Sequence, residues 1–147
     1  MAQSISTDLK NYIINKSLVE ALAGTCGTAG TASISIYSGS QPANADAGTA
    51  GTLLCVISGV GWTAATGTTS GTAALANTAG YDGTASTSGT AGWARFQTVA
   101  TDYAGQAATF RIDGNVGTAS TCTFVINSVS VTGGGIVSLL TAPISMS

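Results

Sequence analysis

The chain has no histidine, so any catalytic reading starts without the commonest general base and the commonest metal ligand. Charge is nearly as scarce. Four basic and six acidic residues make up 7% of the 147 positions, for a net charge of −2. That balance leaves no cluster of Lys and Arg to neutralise phosphates, which excludes nucleic acid as a primary partner. No apolar run reaches the roughly 18 residues that a membrane-spanning helix needs. The opening MAQSISTD also lacks the basic-then-apolar layout of an export signal, so a soluble chain with no membrane partner is expected. Cysteine is limited to Cys26, Cys55 and Cys122, an odd number at wide spacing that fits neither a disulfide framework nor a zinc knuckle. Free thiols in small apolar sites, made in a reducing compartment, are the expectation.

Most of the sequence is Ala, Gly, Ser and Thr, whose small side chains each bury little apolar area, so the core must be thin. A chain of this length is expected to form one main domain, burying roughly 70% of its unfolded surface if compact. Residues 6–23 carry the only helical pattern. Leu9, Tyr12 and Ile13, followed by Ile14, Leu18, Ala21 and Leu22, form an apolar stripe, with Ser6 or Thr7 as the N-cap and Gly24 as the stop. Past Gly24 the hydrophobic period falls from 3.6 to 2. Ala32, Ile34 and Ile36 alternate with Ser33, Ser35 and Tyr37, and further strands are expected at 92–99, 107–113, 122–131 and 136–142. Residues 52–58 are a continuous apolar run that fits a buried strand, although its periodicity alone leaves a helix open. The fold expected is mainly β: an N-terminal arm and α-helix over 1–24, then an antiparallel β-sandwich of jelly-roll or immunoglobulin-like type over 25–147. Residues 63–91 are weakly patterned and read as a long Gly/Thr/Ala-rich loop or arm, with a short strand at 73–75.

No stretch looks catalytic, and neither a cofactor nor a metal ion is expected. Asp46, Asp82, Asp102 and Asp113 lie in turn-like contexts. Tyr81-Asp-Gly83 and Ile112-Asp-Gly-Asn115 read as tight turns, because Asp-Gly supplies positive φ angles. Neither spaces its carboxylates as a calcium loop does. Gly133-Gly-Gly135 has no Lys after it and reads as a connector rather than a phosphate cradle.

The densest group of large side chains is Trp93, Arg95 and Phe96. On a strand Phe96 points to one face as a core anchor, while Trp93, Arg95 and Gln97 share the other. Trp and Arg are enriched at interface hot spots, so Trp93, Arg95 and Gln97 are candidate protein-interface residues. The alternative is a second core layer in which Arg95 pairs with Asp102 or Asp113. The two readings stand side by side at this point.

Several stretches carry a resemblance: Ile34-Ser-Ile-Tyr-Ser-Gly-Ser-Gln-Pro-Ala43, Gly51-Thr-Leu-Leu54, Gly89-Thr-Ala-Gly-Trp-Ala-Arg-Phe96, Ile112-Asp-Gly-Asn-Val-Gly-Thr118 and the tail from Ile126 to Met146. In these the chain resembles a family of small virion proteins of tailed double-stranded DNA bacteriophages. The resemblance implies a non-enzymatic structural protein of the particle, assembled in the host cytoplasm. Its first implied duty is capsid decoration or cement. The alternatives are a head–tail connector, neck or tail component, and a receptor-binding, adhesin-like module. Implied partners are the major capsid protein or other virion proteins, together with further copies of the chain, a trimer first among homo-oligomers.

Overall fold

The computed structural model describes residues 32–45, 47–61, 72–75, 80–98 and 111–145. The expected helix over 6–23 and Cys26 lie outside these residues. All regular elements described are strands: β1 (Ala32–Ser38), β2 (Leu53–Val60), β3 (Thr72–Ala73), β4 (Tyr81–Thr84), β5 (Gly89–Thr98), β6 (Arg111–Gly117), β7 (Phe124–Ile126), β8 (Ser130–Val131), β9 (Ile136–Thr141) and β10 (Ile144–Ser145).

Alternation in the sequence builds the centre of the sheet. Ile34 and Ile36 of β1 and Ala94 and Phe96 of β5 are fully buried in the core, while Ser35 and Tyr37 face outward opposite Arg95 and Trp93. The run at 52–58 is a strand, β2, paired antiparallel with β1. It is not buried on both faces along its length: Leu54, Cys55 and Ile57 are inside, whereas Val56 is 41% exposed. Phe124, Ile126 and Leu139 complete the core from β7 and β9.

One sheet runs in the order β2-β1-β5-β6-β7-β9-β4, with β8 added to the start of β5, and β3 and β10 form a separate two-stranded ribbon. The fold is mainly β, as expected, but pairing continues without a break, so the walls belong to one curled sheet and not to two separate layers. Its outer strands meet: Cys55 bridges Ala85, and Leu54 O accepts from Ser86 N at 2.8 Å and from the Ser86 hydroxyl at 3.2 Å. Farther along the seam the Tyr81 hydroxyl takes over from the backbone, accepting from Gly61 N at 3.1 Å and donating to Gly61 O at 3.4 Å. The result is a nearly closed barrel.

Three local expectations are corrected. The two Asp-Gly stretches are strand, not turn: Tyr81-Asp-Gly83 lies in β4 against β9, and Asp113-Gly114 lies in mid-β6 against β5. Glycine is needed there for close approach. A Cβ on Gly114 would lie 2.6 Å from the Thr123 side chain, and one on Gly83 would lie 2.8 Å from both Cys55 Sγ and Val56 O. Residues 63–91, expected as a loop or arm, therefore contain β3, β4 and the beginning of β5. The single strand expected over 122–131 is β7 and β8 separated by a bend. Asn127 makes that break by crossing to β9, accepting from Ser138 N at 3.1 Å and donating to Ile136 O at 3.3 Å.

The sheet is also not wholly antiparallel, because β6 and β7 are parallel neighbours in register at Val116↔Phe124. Only residues 118–123 connect them, far less chain than the dozen or so residues that usually link parallel strands. Asn115 holds this tight return, its Oδ1 accepting from both Thr123 N and Thr123 Oγ1 at 2.9 Å. Gly114 leaves room beneath it.

Candidate functional site

Among the described residues, the outer face of β1, β5 and β6 carries the densest polar and aromatic cluster. The register sets Tyr37 beside Trp93, and Arg95 between Ser35 and Asp113. Tyr37 and Trp93 stack with centroids 4.6 Å apart and planes 13° from parallel, and the Arg95 guanidinium carbon lies 5.5 Å from the Trp93 ring centroid. Arg95 then forks onto Asp113, with Nε to Oδ1 and Nη2 to Oδ2 both at 2.7 Å. Both charged side chains are nearly inaccessible, at 3% and 2%.

A strap formed by residues 39–52, described at 39–45 and 47–52, covers this tier. Trp93 Nε1 donates to Ala50 O at 3.1 Å, and Arg95 Nη2 donates to Ala47 O at 3.0 Å. Within the strap, Asn44 Oδ1 accepts from Ala47 N at 2.9 Å, a side-chain turn that fixes the peptide ahead of the one Arg95 reads. At the base, Ser38 N donates to Thr52 O, and Thr52 N donates to Ser38 Oγ, each at 3.0 Å. Gly39 and Gly51 both have φ of 80° there.

Of the residues singled out in the sequence, Trp93 and Arg95 are thus brought together and buried, at 0% and 2% exposure. Gln97 stands half-buried farther along β5, in register with Ser33 and Arg111. Asp113 is the partner Arg95 takes; Asp102 lies outside the described residues. A neighbour approaching this face meets the strap first. Three members of the cluster, Tyr37, Ala47 and Ala50, were not singled out as site residues. Tyr37 was legible only as the outward position of β1, and the carbonyls of Ala47 and Ala50 leave no mark in side-chain patterning.

The contacts of the cluster hold the strap against the sheet. Arg95 and Asp113 neutralise each other, and Trp93 and Arg95 each send a side-chain N–H to a main-chain carbonyl of the strap. Elsewhere, Cys55 is fully buried, and that burial pushes its thiol pKa up. Cys122 is partly exposed at an open cleft of ≈ 360 Å³ lined by Ile112, Ser120, Thr121, Thr123, Pro143 and Ile144. Among the described residues no charged side chain lines that cleft. Among the described residues no group of three His, Cys, Asp or Glu is placed to hold a metal ion.

Comparison with models of known protein families, with curated proteins and with solved structures gives no match.

Proposed function

We propose that this chain is a non-enzymatic structural protein of a tailed-bacteriophage particle, serving on the head as a decoration or cement protein among copies of itself and the capsid protein. The observation that carries this reading is the exposed apolar surface of the small barrel. Leu53 and Val56 on β2 and Ile136 and Leu140 on β9 are 38% to 59% exposed. The Cys55–Ala85 bridge and the β4–β9 register set Val56, Thr84 and Ile136 in one row across the seam. Side chains of this kind invite cover from a neighbouring subunit. A thin core supports the same reading, since subunit contacts add stability that one chain lacks.

The finer architecture belongs to the proposal as well. We read the curled sheet as a flattened barrel whose opposite walls correspond to the layers of a jelly-roll-like sandwich. The interface assigned to Trp93, Arg95 and Gln97 is then indirect: the first two hold the strap, and Gln97 lies farther along β5 between Ser33 and Arg111. Copy number in purified particles tests the reading. Several hundred copies place the protein on the head. A count of about six or twelve places it at the neck and overturns the decoration role, and a few trimers make it a fibre component. Absence from purified particles overturns the virion reading as a whole.

A further inference from the structure

The sequence contains two Asp-Gly pairs, Asp82-Gly83 and Asp113-Gly114, and no Asn-Gly. Aspartate before glycine is the acidic pair most prone to rearrange, because no Cβ on the second residue hinders its amide nitrogen from reaching the carboxyl group. That nitrogen bonds to the Asp Cγ, one water leaves, and a five-membered succinimide forms. Water then adds back to either ring carbonyl. Opening at Cγ restores aspartate. Opening at the main-chain carbonyl gives isoaspartate, whose backbone runs through Cβ and Cγ and is one carbon longer. The water lost is regained, so the change is an isomerisation that needs no oxidant, reductant or co-reactant.

The fold treats the two pairs differently. The Asp113 side chain is 2% exposed, and both of its carboxylate oxygens are held by Arg95 at 2.7 Å. Closing a ring onto Gly114 breaks both of those bonds. Asp113 and Gly114 also lie in register with Arg95 and Ala94 at the centre of the sheet. Asp82 is exposed, on a strand whose ladder to β9 is four residues long and whose other side lies along the seam. An extended strand holds the glycine amide away from the preceding carboxyl, so either ring closes only when its strand lifts. β4 lifts by local opening, whereas β6 lifts only with the centre of the sheet.

A longer backbone has no place on β4. A Cβ on Gly83 would already lie 2.8 Å from Cys55 Sγ and from Val56 O. An added main-chain carbon also carries Thr84 and Ala85 out of register with Ile136 and Cys55.

We propose that Asp82-Gly83 is a self-modifying site of the folded protein: Asp82 converts through a succinimide to isoaspartate, and the lengthened backbone parts β4 from β2 and uncovers Cys55. The change is intrinsic to the chain and stands apart from the particle in which the chain serves.

The test is to hold the folded protein for weeks at physiological temperature and pH, with a denatured sample alongside in which both pairs are free to convert. Peptide mapping with electron-based fragmentation distinguishes isoaspartate from aspartate at each position. In the folded protein isoaspartate is expected to accumulate at Asp82 about tenfold or more faster than at Asp113, because only β4 opens locally. A smaller ratio, or no isoaspartate at Asp82, overturns the proposal. Alkylation of Cys55 reads the opening of the seam. It is expected to quicken as the wild-type protein ages and to stay slow in equally aged Asp82→Glu, which keeps the carboxylate but closes the larger ring far more slowly. Equal quickening in both proteins, or none in the wild type once Asp82 has converted, overturns the uncovering of Cys55.

Discussion

Arg95 and Asp113 decide more at the level of single residues than any other pair, because each makes the other's burial tolerable. Removing one partner leaves an uncompensated charge under the strap, so Arg95→Met or Asp113→Leu alone is expected to cost about 3–5 kcal/mol of folding stability. The double variant is expected to cost well under the sum, since no lone charge remains, and denaturant unfolding of all four proteins checks this. Trp93→Ala empties an aromatic site and is expected to cost about 3–5 kcal/mol. Trp93→Phe keeps most of the packing and removes the bond to Ala50 O, for a loss on the order of 1 kcal/mol. The cysteines give a separate test. In the native protein Cys122 is expected to be alkylated well before Cys55, which mass spectrometry of timed labelling resolves. Burial favours the neutral Cys55 thiol, so its folded pKa lies above its unfolded one. The stabilisation from this shift is fully present below the ordinary thiol range and is lost as pH rises through the folded value. Stability is therefore expected to fall on the alkaline side, and Cys55→Ala to flatten that fall, in unfolding curves measured across alkaline pH.

Among elements, the strap offers the sharpest contrast. A Cβ on Gly51 would sit 1.9 Å from Ser38 O at a φ of 80°, whereas one on Gly48 meets nothing within 4 Å. Gly51→Ala is expected to spring the strap, seen as faster hydrogen exchange at the Trp93 indole, and Gly48→Ala to leave that exchange unchanged. The strands were the most legible part of the sequence, because Ile34 and Ile36 against Ser35 and Tyr37 write a period of two that any half-buried strand must show. The facing of Trp93 and Arg95 could be read for the same reason, and Asp113 was one of two partners weighed for Arg95. What could not be read was non-local. Asp82-Gly83 and Asp113-Gly114 look like turns until Cys55 arrives from a distant part of the chain and Thr123 from across the tight return to β7, each requiring a missing Cβ. The break after β7 depends on Asn127 finding Ser138 and Ile136, contacts that no local window contains. The strap escaped notice because its contacts are made by backbone oxygens, which every residue possesses.

At the scale of the whole sheet, the weak line among the described strands is the seam. β1 is laddered on both sides, to β2 and to β5, while β4 is laddered only to β9, and the β4 side meets β2 through the Cys55–Ala85 bridge, the bonds from Ser86 to Leu54 O and the Tyr81 hydroxyl. Native-state hydrogen exchange is expected to be slowest in β1 and β5 and faster in β4. Tyr81→Phe removes both bonds to Gly61 and is expected to speed exchange at Gly61 selectively, with little change at β1. The seam also fixes an order of events during synthesis. β2 leaves the ribosome early and pairs at once with β1, its neighbour in sequence. Its other edge waits for β4, which is steadied by β9, a strand made later still. Throughout that interval the nascent chain displays an unfinished strand edge beside Leu53 and Val56, which makes the partly translated protein the form most in need of a chaperone.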